Sequence, residues 1–176
     1  MDDAAVTLTA GPLLLRPWRT DDIPALLAAY DDPAMRQWVR VPVSDVADAE
    51  RWMAVQRDGW ARGNRFSFAV TDTTRGGELV GNLALKRPVP GAESAEAGYW
   101  TAAAARGRGV ASRALGALTD WAFGTFATEG LRRLELLSPG GQRGILPGRG
   151  EGRLPACRGR PRASPAVPAR RPPALP

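Results

Sequence analysis

The sequence of 176 residues predicts one α/β domain followed by a tail of different composition. Three observations carry this. Short apolar stretches with period-two spacing alternate with longer stretches whose apolar residues recur every three to four positions, the marks of strands and helices. The length falls within the usual span of about 100 to 200 residues for one domain. Composition changes abruptly after Leu137: residues 138–176 hold nine of the 16 prolines, seven of the 20 glycines and eight arginines against a single acid, Glu151.

Residues 13–15, ahead of Arg16 and Pro17, predict a short strand. Thr20 or Asp21 then caps a helix with Ile23, Leu26, Leu27 and Tyr30 on one face and Pro24 in the first turn, where its missing N–H is tolerated. Asp31, Asp32 and Pro33 end that helix. A connection over residues 35–42 leads to Ser44, the expected cap of a second helix reaching about Arg62, with Val46, Ala49, Met53 and Trp60 on its buried side. Gly63 and Asn64 stop it. Phe66, Phe68 and Val70 alternate with smaller residues as a strand, residues 71–77 turn, and residues 78–86 return as the second strand of a hairpin. Further elements are a strand over residues 95–101, a Gly/Arg turn, a helix over residues 110–126 and a strand over residues 131–137. Ala111, Leu115, Leu118, Ala122 and Phe126 line one side of the last helix, and Trp52, Trp60 and Trp121 are expected in the core. No internal repeat is present.

The net charge of +6 suggests a nucleic-acid partner until the charges are located. Residues 1–137 carry 16 basic and 17 acidic residues, so the domain is close to neutral and the tail supplies the excess. That tail has no Phe, Tyr or Trp on which bases could stack, which argues against nucleic-acid recognition, although an Arg-rich segment can neutralise phosphates without a fold. Its few aliphatic residues cannot offset the entropy of ordering it, and its prolines exclude long helices and interrupt strand pairing. The expectation is therefore a domain over residues 1–137, a disordered tail over residues 138–176, and an exposed sheet edge at residues 131–137.

The chain has no histidine and one cysteine, Cys157, which excludes Ser/His/Asp triads, Cys/His pairs, His-ligated zinc and an internal disulfide. No metal site is expected. Chemistry falls to carboxylates, hydroxyls and backbone dipoles. No run of about 18 apolar residues occurs, and the first residues carry Asp2 and Asp3 instead of a basic leader, so a cytoplasmic protein without a membrane partner is expected.

The informative segment is Arg106-Gly107-Arg108-Gly109-Val110-Ala111, between a strand and a helix. A helix that starts on a glycine-bearing turn directs free N–H groups and the positive end of its dipole at that turn, where an anion can bind. Glycines admit close backbone approach, and Arg106 and Arg108 add charge at the rim. The pattern is neither the dinucleotide fingerprint nor a Walker loop, and in isolation a Gly/Arg turn also serves as a plain connection.

Arg106-x-x-Gly109-x-Ala111, following Glu96-Ala97-Gly98-Tyr99-Trp100, resembles the coenzyme A loop of the GNAT superfamily of N-acetyltransferases. The opening Leu15-Arg16-Pro17-Trp18-Arg19-Thr20-Asp21-Asp22 and the piece Leu79-Val80-Gly81-Asn82-Leu83 are similar to the branch containing the ribosomal-protein N-terminal acetyltransferases. The resemblance spans residues 13–137. It implies a GNAT-like α/β fold, a mixed, mostly antiparallel sheet flanked by helices and here C-terminally incomplete, with acetyl transfer from acetyl-CoA to a primary amine. It further implies that Arg106, Gly107, Arg108, Gly109, Val110, Ala111 and Ser112 hold the diphosphate, and that Tyr99, Trp100 and Thr101 lie along the pantetheine arm. A strand N–H near Trp100 or Thr101 would stabilise the oxyanion.

Glu96 shares a strand face with Gly98 and Trp100, which makes it the candidate proton acceptor; the alternative is a carboxylate solvated or paired with a neighbouring cation. Asp31 and Asp32 are turn formers or contacts for a cationic substrate. Arg36, Trp38 and Arg40 lie where relatives line the acceptor groove.

From Ser138 onward the family's asparagine-x-x-serine helix and lysine-x-glycine-aromatic turn are missing, so no general acid is assigned and weak or absent transfer is expected. A reading frame displaced by one nucleotide restores the pattern. It permits histidine at Ser138, asparagine at Gln142, serine at Ile145, glycine at Arg153 and phenylalanine or tyrosine at Leu154, and it forces lysine or arginine at Glu151. The acceptor is expected to be a small amine or a protein N-terminus. Two other functions remain open, a non-catalytic acyl-CoA-binding protein and a nucleic-acid binder acting through the tail.

Overall fold

The computed structural model describes residues 6–37, 41–87, 89, 91–137 and 143–146. Seven strands form one sheet in chain order: β1 (Leu8–Ala10), β2 (Leu13–Pro17), β3 (Arg65–Asp72), β4 (Glu78–Lys86), β5 (Ser94–Thr101), β6 (Arg133–Leu137) and β7 (Arg143–Leu146). All neighbours are antiparallel except β5 and β6, which run parallel from Ser94↔Arg133 to Gly98↔Leu137. A parallel pair needs a crossover, and helix α4 (Val110–Phe126) supplies it. The expected mixed, mostly antiparallel sheet flanked by helices is thus present.

Two cores sandwich the sheet. Alternate residues of the strands, including Leu15, Phe68, Leu83 and Ala97, meet Leu115, Leu118 and Ala122 of α4. The opposite face carries α1 (Ile23–Tyr30) and α3 (Val46–Ala61), with Trp18, Leu26, Tyr30, Met53 and Ala69 buried between them. The period-two and period-3.6 patterns meet at the central strands β3, β4 and β5, which offer one residue set to each core, with Ala69, Leu79 and Trp100 on the side of α1 and α3. Trp52, Trp60 and Trp121 are half-buried and packed against these cores, as expected.

Several local expectations are corrected. Strand β1 was not legible, since three residues are too few to show alternation; it pairs with β2 across Gly11, whose φ of +61° suits the tight turn. A 3-10 turn, Thr20–Asp22, precedes α1, and neither Thr20 nor Asp21 caps it: the Asp22 carboxylate accepts the Arg19 N–H at 2.8 Å. Asp45, not Ser44, caps α3, accepting the Asp48 N–H at 2.7 Å, while the Ser44 N–H donates to Asp48 at 3.0 Å. Residues 44–47 are all solvent-exposed, so Val46 in this first turn is 53% exposed and leaves the buried stripe to Ala49, Met53, Gln56 and Gly59. On α4 the buried stripe runs through Ala114, and Ala111 is only half-buried because its turn faces the loop before the helix. The edge expected to be open at β6 is paired with β7, from Leu134↔Leu146 to Leu137↔Arg143. Antiparallel pairing there needs four residues free of proline, and residues 143–146 provide them between Pro139 and Pro147. The rest of the predicted disordered tail lies outside the described residues, as do Trp38 and Arg40.

Arg16 and Asp22 form a two-pronged pair at 2.8 Å on each prong beneath α1. Burial raises the Asp22 pKa, but hydrogen bonds from Arg16 and the Arg19 N–H outweigh it, leaving the carboxyl below its ordinary range. A carboxyl held low in the folded chain stabilises it above the unfolded pKa and loses that contribution as pH falls through the folded value. Asp22→Asn is accordingly expected to cost about 2 kcal/mol at pH 7, the size of a lost charge-assisted hydrogen bond, with the difference from the parent shrinking below about pH 4. Urea melts at pH 7 and pH 3 measure this; an equal gap at both would contradict the assignment.

Candidate functional site

The C-terminal end of β5 leads through a 3-10 turn, Ala103–Ala105, into the Arg106–Gly109 corner and then α4. Gly107 and Gly109 have φ of +75° and +73°, left-handed values that residues with a Cβ rarely adopt. Gly109 is the N-cap residue of α4 and offers no side chain to the first turn, whose N–H groups lack intrahelical acceptors. Space around the ideal Cβ position of Gly107 is empty to 4 Å. The corner is therefore a glycine-bearing turn that leads into helix N–H groups without intrahelical acceptors, the kind of place where an anion can bind.

Both arginines of the corner are held by carboxylates. Arg106 pairs with Asp32, and Arg108 reaches Asp72 at 3.1 Å. Asp72, at the end of β3, is fixed by the Thr74 N–H at 3.0 Å and the Thr74 hydroxyl at 2.6 Å; these bonds, with the charges of Arg108 and Arg75, hold its carboxyl below the usual range. Arg113 donates to the Arg108 carbonyl at 3.2 Å, and the Ser112 hydroxyl to the Gly109 carbonyl at 3.3 Å. Val110 is buried, whereas Ala111 and Ser112 stay half-exposed at the mouth of the corner. The partners Asp32 and Asp72 were not identifiable from spacing, since they lie 74 and 36 residues away.

The parallel register between β5 and β6 ends at Gly98, while β5 continues to Thr101 beside β4, pairing Gly81↔Thr101 and Leu83↔Tyr99. A Cβ on Gly81 would lie 2.6 Å from the Trp100 carbonyl oxygen, so only glycine permits this approach. Glu96, Gly98 and Trp100 share the face under α1 and α3, as period two requires. Glu96 is paired with a cation, the Lys86 ammonium at 2.5 Å across the β4–β5 ladder, and keeps about a third of its side chain exposed.

Tyr30 ends α1 against Trp100, ring centroids 6.0 Å apart. Burial pushes its phenol up, countered in part by the indole N–H groups of Trp100 and Trp52, which approach its oxygen. The Trp100 N–H nonetheless completes no hydrogen bond and is buried. Tyr30 also borders a groove of about 640 Å³ with Leu27, Asp31, Arg36, Pro42 and Val43. The sequence showed Tyr30 only as one residue of an apolar stripe. Asp31 pairs with Arg36 at 2.5 Å, and Asp32 caps a four-residue helix, α2 (Pro33–Arg36), through the Ala34 N–H at 3.1 Å. The segment after α1, read as a plain connection, thus starts another helical turn because Pro at its first position is preset for one. Among the described residues no cluster could hold a metal ion and no helix is long and apolar enough to cross a membrane.

Residues 12–137 match the model of the acetyltransferase (GNAT) domain. No curated protein matches the chain. Solved structures do. Mycobacterium smegmatis RimJ, in complex with CoA-disulfide, is 26% identical with a TM-score of 0.62 over 75% of this chain and 66% of its own. A Vibrio cholerae protein provisionally named a ribosomal-protein-serine acetyltransferase is 25% identical with a TM-score of 0.63 over 74% and 72%. A Salmonella typhimurium acetyl transferase, which modifies the N-terminal serine of 50S ribosomal subunit protein L7/L12, shares the fold at 22% identity, with a TM-score of 0.59 over 72% and 70%.

Proposed function

The chain belongs to the GNAT acetyltransferase family, an acetyl-CoA-dependent group of N-acetyltransferases, and on that premise we propose where the acetyl donor binds and how the acetyl group moves. The diphosphate of acetyl-CoA rests on Arg106, Gly107, Arg108, Gly109, Val110, Ala111 and Ser112. The observation that carries this is the first turn of α4, which has no side-chain cap at Gly109 and starts on a corner where Gly107 and Gly109 both hold left-handed φ. Tyr99, Trp100 and Thr101 lie along the pantetheine arm, beyond the point where the β6 register ends.

Acetyl-CoA supplies an activated thioester; the chain supplies position and proton handling. A strand N–H near Trp100 or Thr101 stabilises the oxyanion that forms when the amine attacks. Glu96 takes the ammonium proton, directly or through one water, and the Lys86 ammonium at 2.5 Å holds its carboxylate in place on the strand. The oxyanion collapses to the amide as the C–S bond breaks, and coenzyme A leaves as its thiolate, which takes the second proton lost by the amine through solvent; no covalent enzyme intermediate is needed. The acceptor is a primary amine, and a protein N-terminus is favoured by the likeness to the Vibrio cholerae protein named a ribosomal-protein-serine acetyltransferase and to the Salmonella typhimurium protein that modifies the N-terminal serine of L7/L12.

Residues 138–176 lack the family's continuation, and turnover by this chain is weak or absent on that account. The displaced reading frame is its origin, and the encoding DNA across codons 136–160 decides that point. Thermal-shift titration tests binding: acetyl-CoA is expected to raise the melting temperature, and turnover to stay far below that of relatives. No shift would remove the cofactor assignment, and full turnover would remove the impairment. In a version carrying the shifted-frame C-terminal part, Glu96→Gln is expected to lower kcat by about 100-fold or more, the usual worth of a general base, with acetyl-CoA affinity unchanged. An unaltered kcat would leave Glu96 as a structural partner of Lys86.

A further inference from the structure

The Asp32 carboxylate has two clients. One oxygen accepts the Ala34 N–H and caps α2; the other receives the Arg106 guanidinium from the phosphate corner. Asp32 thus ties a short helix bordering the groove beside Tyr30 to the loop assigned to the cofactor. The helix contributes Arg36 to that groove. Arg106 is 43% exposed, so it can turn to another anion, and the hydrogen bond from Arg106 leads the interactions that keep Asp32 ionised.

We propose that Asp32 is a positioning residue for the cofactor loop, exchanging its hold on Arg106 for the cofactor diphosphate and so coupling cofactor binding to the wall of the acceptor groove. This rests on the assignment of the diphosphate to the corner. Asp32 pairs with Arg106 and keeps it beside the corner. A diphosphate competes for the same guanidinium, and its arrival frees the carboxylate at the head of α2. A carboxylate next in the chain to the groove-lining Asp31 is then left uncompensated, since Asp31 itself is already paired with Arg36. The free energy of this exchange acts both ways: whatever fixes the freed carboxylate strengthens cofactor binding by the same factor.

Asparagine caps helices about as well as aspartate, so Asp32→Asn removes the charge and keeps the Ala34 bond. Calorimetry with coenzyme A on the parent, Asp32→Asn, Arg106→Gln and the double variant measures the exchange. Asp32→Asn is expected to bind about threefold tighter, the scale of an exposed ion pair, and most of that gain is expected to vanish in the Arg106→Gln background. An equal gain in both backgrounds, or no gain, overturns the proposal. Amide spectra supply the second readout. Coenzyme A is expected to shift the Ala34 and Met35 amides in the parent and not in either single variant. If coenzyme A perturbs the corner amides but leaves Ala34 untouched, the coupling fails while the cofactor site stands; if nothing binds, the cofactor assignment itself falls.

Discussion

Gly109→Val is expected to weaken acetyl-CoA binding by about 10- to 100-fold and to lower the melting temperature. The residue holds φ at +73° as the N-cap of α4. A β-branched side chain strongly disfavours that region, and the strain of holding a residue there is about 1 to 3 kcal/mol. Crowding alone is not the cause, because the nearest atom to an added Cβ is Arg113 Cζ at 3.9 Å. The chain would instead rotate the corner to relieve φ, turning the first N–H groups of α4 away from the phosphates. Isothermal titration with acetyl-CoA and a parallel melt separate the two effects. Unchanged affinity in a destabilised variant would mean that the corner does not hold the diphosphate.

Phe68→Ala is expected to cost about 3 to 5 kcal/mol, as large-to-small changes at buried aromatic positions do. Phe68 has no exposed surface and sits on β3, among the central strands, with Trp60 and Trp121 at centroid distances of 5.2 and 5.5 Å in edge-on contacts. Its loss opens a cavity between the sheet and α4, and α4 starts at the corner proposed for the diphosphate. Domain stabilities usually total about 5 to 15 kcal/mol, so this one change removes a large share. Urea denaturation followed by tryptophan fluorescence measures it. A cost below about 1 kcal/mol would show that the aromatic cluster is not the keystone of the packing.

The hairpin of β3 and β4 and the whole of α4 were readable because each is long enough for its period to show and ends at glycine or a turn cluster. The corner before α4 was readable as a turn for a related reason: two glycines and a helix start are local features. What stayed hidden was non-local. Asp72 and Asp32 reach the corner from the end of β3 and the head of α2, and nothing in the spacing joins them to Arg108 and Arg106. Lys86 meets Glu96 only once the β4–β5 register is fixed. The caps of α1 and α3 fell one or two residues from their expected places, because several neighbouring polar residues offered the same carboxylate or hydroxyl chemistry. Strand β7 was missed because proline counts describe a whole segment, whereas pairing needs only four residues between two prolines.

Resonance mapping of the backbone amides during titration with acetyl-CoA tests the central assignment most directly. Saturable shifts are expected, largest at Gly107, Arg108, Gly109, Val110, Ala111 and Ser112, with smaller ones at Trp100 and Thr101. Shifts confined to other parts of the sheet, or a spectrum unmoved by the thioester, would contradict it.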